Sequence, residues 1–201
     1  MRQVSAQEFQ RLPLRVHTFL AGVPLHDVWA VDLLRPRAGI TLDEFLQAET
    51  DRPHSLPPLV RMLLNIRFFV GRIFGWEREP NSSSWETFAT RLTPADRSSS
   101  LAPAGAREGF FRVVYRFQNE QLLELINRTA HAAALSALVE MENAYRFYFG
   151  VYVRDVSRFT PVYLAAIDPF RKLVVYPSLL RSVRTLWNQA FVDGRQWRTS
   201  P

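Results

Sequence analysis

The chain has 201 residues, 47% hydrophobic and 13% aromatic, with 25 basic side chains against 19 acidic ones and no cysteine. This composition fits one folded domain with a substantial core and excludes disorder, a disulfide framework and thiolate chemistry. The net charge of +6 rests almost wholly on arginine, Lys172 being the sole lysine, and no block of like charges marks a nucleic-acid tail.

The start, Met1 to Gln10, is polar and lacks an apolar signal core, which together with the missing cysteines points to a cytoplasmic protein. Ser5 followed by Glu8 is a capping-box pattern and predicts a short helix ending near Pro13. Val28 to Leu34 is rich in β-branched and aromatic residues and predicts a strand. Thr41 opens another short helix, with Asp43 and Glu44 suited to its positive end. Arg52 to Pro58, with three prolines, predicts a loop.

Leu59 to Phe74 has the spacing of an amphipathic helix. Leu59, Met62, Leu63, Ile66, Phe69, Val70, Ile73 and Phe74 share one face, and Arg61, Asn65 and Arg72 lie opposite. Three arginines, each costing roughly 2.5–3.5 kcal/mol near a bilayer centre, exclude a spanning helix, so this one is expected to pack on a sheet. Ser83 with Glu86 predicts a further cap ahead of Trp85, Phe88, Ala89 and Leu92. The Ser-, Ala-, Pro- and Gly-rich stretch after Thr93 predicts a short helix and a mobile loop over about 94–109, within one domain spanning 1–201.

Three strands are expected next. Phe111, Val113, Tyr115 and Phe117 alternate with polar residues, and a turn at Asn119-Glu120 leads into one long strand from Leu123 to Val139. Period 2 puts Asn127, Thr129 and His131 in a row on its apolar face, each about 6.6 Å from the next, with Glu124, Arg128, Ser136 and Glu140 facing water. A turn at Met141 to Asn143 opens a strand through Tyr145, Phe147, Phe149, Val151 and Val153. The chain closes with a helical tract from Thr160 to about Phe191. Tyr163, Ile167, Phe170 and Val174 form one stripe and Tyr176, Leu180, Val183, Trp187 and Phe191 another, rotated from it. A kink near Pro177 would aim both at one core.

This order of elements resembles the helix-grip arrangement of the START-like (SRPBCC) superfamily. More closely, the chain resembles a bacterial domain-of-unknown-function family placed near that superfamily. The matching pieces are His26 to Asp32 (HDVWAVD), Gly71 to Trp76 (GRIFGW), Glu124 to His131 (ELINRTAH) and Ile167 to Pro177 (IDPFRKLVVYP). The resemblance implies an α+β fold in which an antiparallel sheet curves around a long, proline-kinked C-terminal helix, with extra N-terminal helices. It also implies a cavity between the sheet and that helix.

Such a cavity suits a small, mostly apolar ligand held by a few hydrogen bonds. Trp29, Tyr115, Phe117, Phe147, Phe149, Tyr163 and Phe170 are the expected wall, and Asn127, Thr129 and His131 the polar anchor. One alternative is a cyclase- or hydrolase-like enzyme using His131 as its base, oriented by Asp27, Asp32 or Asp168. Another is an interaction module using Arg112, Arg116, Arg128, Arg146 and Arg154 with Tyr148 and Tyr152 on the outer strand faces. A helix, or the second subunit of a homodimer, could cover that face instead. There is no G-x-S-x-G, no dinucleotide or phosphate loop, and no ligand spacing among His17, His26, His54 and His131. The expectation is therefore no cofactor, no metal and no nucleic-acid partner.

Overall fold

The computed structural model describes residues 1–50, 86–109, 111–126, 131–154, 165 and 168–193. Seven strands form one antiparallel sheet: β1 (Arg2–Gln3), β2 (Leu25–Leu34), β3 (Arg107–Glu108), β4 (Phe111–Arg116), β5 (Glu120–Ile126), β6 (His131–Glu140) and β7 (Ala144–Arg154). Their spatial order is β1-β2-β7-β6-β5-β4-β3. The fold is α+β, as expected, with helices on both sheet faces.

One face is covered by α1 (Ala6–Gln10) and α2 (Val16–Phe19). Ser5 Oγ accepts from the Glu8 N–H at 3.2 Å, which fixes where α1 starts. Phe9, Val16, Phe19 and Leu20 then pack on Val28, Ala30, Leu135, Tyr148 and Tyr152. The other face is covered by α3 (Leu42–Thr50), capped at Thr41 as expected, and by the C-terminal helix. There Phe45, Leu180, Val183 and Trp187 pack on Val31, Leu33, Leu138, Tyr145 and Phe147. Tyr148 and Tyr152, expected on a solvent face, are therefore interior beneath the N-terminal helices, whereas Arg112 is exposed and Arg128 lies outside the described residues. The expected Leu59–Phe74 helix falls outside the described residues.

The single strand expected from Leu123 to Val139 is two strands. β5 ends at Ile126, β6 begins at His131, and the two pair antiparallel with Ile126 opposite His131. Reversal changes the parity of the inner face. Glu120, Leu122 and Glu124 of β5 share a face with His131, Ala133 and Leu135 of β6, while Leu123 and Leu125 look the other way. Glu124, expected in water, is buried for that reason.

Two further expectations change in detail. The segment after Trp85 forms a 3-10 turn at Phe88–Arg91 capped by Thr87, and Ser83 lies outside the described residues. After Thr93 the expected short helix is α4 (Pro94–Ser99), with a reciprocal capping box between Thr93 and Asp96, and the expected loop contains β3.

Residues 168–193 are helical throughout. A π turn at Arg171–Val175 precedes α5 (Tyr176–Trp187), and a second π turn, Asn188–Val192, follows it. In the first, the Tyr176 N–H bonds back to the Arg171 carbonyl, and Pro177, which has no N–H, stands next. Of the expected second stripe, Tyr176, Leu180, Val183 and Trp187 are buried and Phe191 is half-buried. Among the described residues no helix is long and apolar enough to cross a membrane.

Candidate ligand site between the sheet and the C-terminal helix

β2 enters the sheet through an irregularity: Leu25 pairs with Tyr152 and Asp27 with Val151, leaving His26 as the extra residue. Bulges re-aim side chains, and here two chain neighbours both reach the C-terminal helix. His26 Nε2 lies 2.8 Å from Asp168 Oδ1. Asp27 Oδ1 accepts from the Tyr176 hydroxyl at 3.0 Å. Beyond them, alternation puts Trp29 on the same face as Asp27, its ring 5.6 Å from that of Tyr176.

Arg171, inside the π turn, joins these pieces. It donates to Asp168 Oδ1 at 3.1 Å and to the Tyr176 hydroxyl, and stands 3.5 Å from Asp27 Oδ2. Lys172 Nζ lies 3.0 Å from Asp168 Oδ2. Burial pushes the Asp27 carboxyl above the ordinary range, against the opposing pull of Arg171. Burial also works to raise Asp168, but hydrogen bonds from His26 and Lys172 hold it below its ordinary value. Burial raises the Tyr176 hydroxyl as well.

Two atoms in this network are buried without a hydrogen-bond partner: Asp27 Oδ2 and Trp29 Nε1. His26, Asp27 and Asp168 also bring three potential metal-ligand atoms within 4.8 Å of one another. The Arg171 guanidinium lies against both carboxylates, so the positive charge a cation would supply is already in place.

An apolar wall adjoins the network. On the helix-facing side of the sheet Trp29, Phe149, Val151, Ala134, Ser136 and Leu123 form a connected half-buried strip. Leu122, Ala133, Leu135 and Tyr148, on the same strands but the opposite face, are fully buried. The Phe149 ring lies 5.8 Å from Tyr176.

The fold divides the residues expected to line one cavity. Trp29, Phe147 and Phe149 share the helix-facing side, where Phe147 is core packing against Phe45. Phe170 is half-buried on the helix, one residue before the π turn. Tyr115, Phe117 and His131 belong to the opposite side. Phe117 there lines an open cleft of about 470 Å³ with Pro13, Leu14, Leu101 and Glu120. Asn127, Thr129 and Tyr163 lie outside the described residues.

His131 pairs with Glu124, not with the expected Asp27, Asp32 or Asp168. Its Nε2 is 2.6 Å from Glu124 Oε1, with both side chains sealed from solvent. Glu124 also accepts from the Phe88 N–H at 2.6 Å and from the Thr87 hydroxyl. The Phe88 ring stacks on the imidazole at 4.1 Å, and Arg154 lies over Phe88. Asp27 and Asp168 serve the other sheet face, and Asp32 pairs with Arg146.

The network as such was not anticipated. The signal was nonetheless present, because His26, Asp27 and Trp29 fall in one of the fragments that carry the resemblance and Asp168, Arg171, Lys172 and Tyr176 in another. Folding brings the two fragments together. A family model described as "Protein of unknown function (DUF2867)" matches residues 19–178, which includes both. No curated protein and no solved structure matches the chain.

Proposed function

The chain belongs to the DUF2867 family of proteins of unknown function, and from its own geometry we propose that it binds a small, mostly apolar molecule between the sheet and the C-terminal helix. The observation that carries this reading is the half-buried strip of Trp29, Phe149, Val151 and Ala134, which ends against a polar network with two unsatisfied buried atoms. Apolar walls with a few convergent polar groups are the usual build of small-molecule sites. On this reading the protein is a START-like helix-grip container of the cytoplasm, working without a cofactor. Pro177 bends the helix so that Phe170 and Tyr176 both address the wall.

Titration of the purified chain with the neutral fluorophore N-phenyl-1-naphthylamine tests it. Saturable binding is expected, weakened by Phe149→Asp and untouched by Tyr115→Phe on the other sheet face. Absence of saturable binding, or indifference to Phe149→Asp in a folded variant, would overturn the reading.

One observation favours a second reading, an enzyme on the same scaffold. Asp27, raised by burial and set beside the apolar wall, has the character of a general acid or base. His131, sealed on the opposite face, does not reach that wall. Turnover abolished by Asp27→Asn with retained probe binding would decide for the enzyme.

A further inference from the structure

We propose that the bound molecule carries a neutral hydroxyl or carboxamide head, which donates to Asp27 Oδ2 and accepts from Trp29 Nε1. This rests on the container reading above and names the ligand class for the same site.

The first argument is complementarity. Buried polar atoms nearly always find partners, and one left unmade costs about 1–3 kcal/mol. Asp27 Oδ2, though 3.5 Å from the Arg171 guanidinium, makes no hydrogen bond, and Trp29 Nε1 lacks an acceptor. Both residues lie on the helix-facing side of β2, two positions apart, and both touch Tyr176: Asp27 through its hydroxyl, Trp29 through its ring. A head that offers one donor and one acceptor satisfies both atoms. A hydrocarbon satisfies neither.

Charge supplies the second argument. Asp27 and Asp168 face Arg171 and Lys172, two negative groups against two positive ones, with His26 hydrogen-bonded to Asp168. Each charged group already has its counterpart. A carboxylate would meet the Asp27 oxygen, and an ammonium would meet Arg171, so either ion adds an uncompensated charge to a partly buried site. A neutral head adds none. The adjoining wall of Trp29, Phe149 and Val151 takes the apolar remainder.

The test uses probes of one skeleton: naphthalene, 2-naphthol, 2-naphthamide, 2-naphthoate and 2-naphthylmethylamine, titrated into the full chain by tryptophan quenching and calorimetry. Naphthol or naphthamide is expected to bind at least tenfold tighter than naphthalene, since each of the two added hydrogen bonds contributes about 1 kcal/mol, and the two ions no tighter than naphthalene. Trp29→Phe removes the donor without changing charge; it should cut the neutral-head preference to the share that the Asp27 bond alone supplies and leave naphthalene affinity in place. Asp27→Asn tips the network positive and should make naphthoate the tightest of the set. Equal binding of all probes, or preference for an ion in the unaltered chain, overturns the proposal while leaving the container reading standing. A chain that binds none of them overturns both. Should Asp27→Asn fail to fold, Trp29→Phe alone still decides.

Discussion

The Tyr176 hydroxyl donates to Asp27 Oδ1 at 3.0 Å, joining the start of β2 to the C-terminal helix across 149 positions of sequence. At the other end of the same helix, Trp187 Nε1 donates to the Leu34 carbonyl at 2.8 Å. The first sits beside the candidate ligand wall and the second in the packed core.

Tyr176→Phe keeps the ring against Trp29 and Phe149 and removes only the hydroxyl. Asp27 Oδ1 then joins Oδ2 in lacking a hydrogen bond, a loss of about 1–3 kcal/mol, and thermal unfolding near neutral pH should register it. The sign with pH follows from Asp27. Its folded carboxyl titrates above its ordinary 3.8 because burial disfavours the charge, so the folded state holds the proton longer than the unfolded one. Asp27 therefore costs stability progressively as pH rises from that ordinary value through the folded one. The Asp27→Asn variant, neutral at every pH, should lack this component of the pH–stability curve.

His131→Phe should lower the melting temperature and leave apolar-probe binding intact. The imidazole is fully buried against Glu124, and removing it takes one partner from a buried pair. An orphaned buried hydrogen-bond partner costs about 1–3 kcal/mol, and Glu124 also anchors the Thr87–Phe88 turn. The loss falls on the fold because the pair lies on the sheet face away from the C-terminal helix. Weakened probe binding with an unchanged melting temperature would place the ligand at His131 instead.

What the sequence made legible were features encoded by local pattern. Ser5 and Thr41 cap helices as expected, and the stripe from Tyr176 to Trp187 is buried because period 3.6 carries it onto one face. What it concealed depends on reversal and irregularity. Alternation runs from Leu123 to Val139 whether the chain goes straight or turns back, and Asn127 and Arg128 offer no glycine or proline to mark a turn. One reversal moved Glu124 inside and gave His131 its partner. One extra residue, His26, gave the site a second polar side chain that strict period 2 would have sent to the far face. The wall was half legible for the same reason: aromatic residues were recognised as interior, but a sheet covered on both faces has two interiors. Tyr115 and Phe149 belong to different ones.

Trp187→Ala should be among the most damaging single changes. The side chain is completely buried, packs within 6 Å of the rings of Phe45, Tyr145 and Phe191, and donates to the Leu34 carbonyl. Large aromatic-to-alanine changes in cores cost about 3–5 kcal/mol, and the orphaned carbonyl adds to that. Chemical denaturation should show a large fall in midpoint. A drop under about 1 kcal/mol would mean that the helix is not seated on the sheet in solution.

Acid should release the α4 region by a route that can be isolated. Asp96 accepts two hydrogen bonds from the Arg15 guanidinium, at 3.0 and 2.9 Å, and caps α4 through Thr93. Arg15 above all, with Thr93, lowers the Asp96 carboxyl to about 2 from its ordinary 3.8. A depressed acid contributes stability that is fully present above its unfolded value and disappears as pH falls through the folded one. Its window is therefore roughly pH 4 down to 2. Arg15 is more than a third exposed, so solvent screening trims the contribution to about 1–2 kcal/mol. Asp96→Asn should cost that amount at pH 6 and progressively less below pH 4, whereas Arg2→Ala, at an exposed pair with Glu8, should change little at either. Equal destabilisation by Asp96→Asn at pH 6 and pH 2 would show that the capping geometry, and not the ion pair with Arg15, sets the stability of this corner.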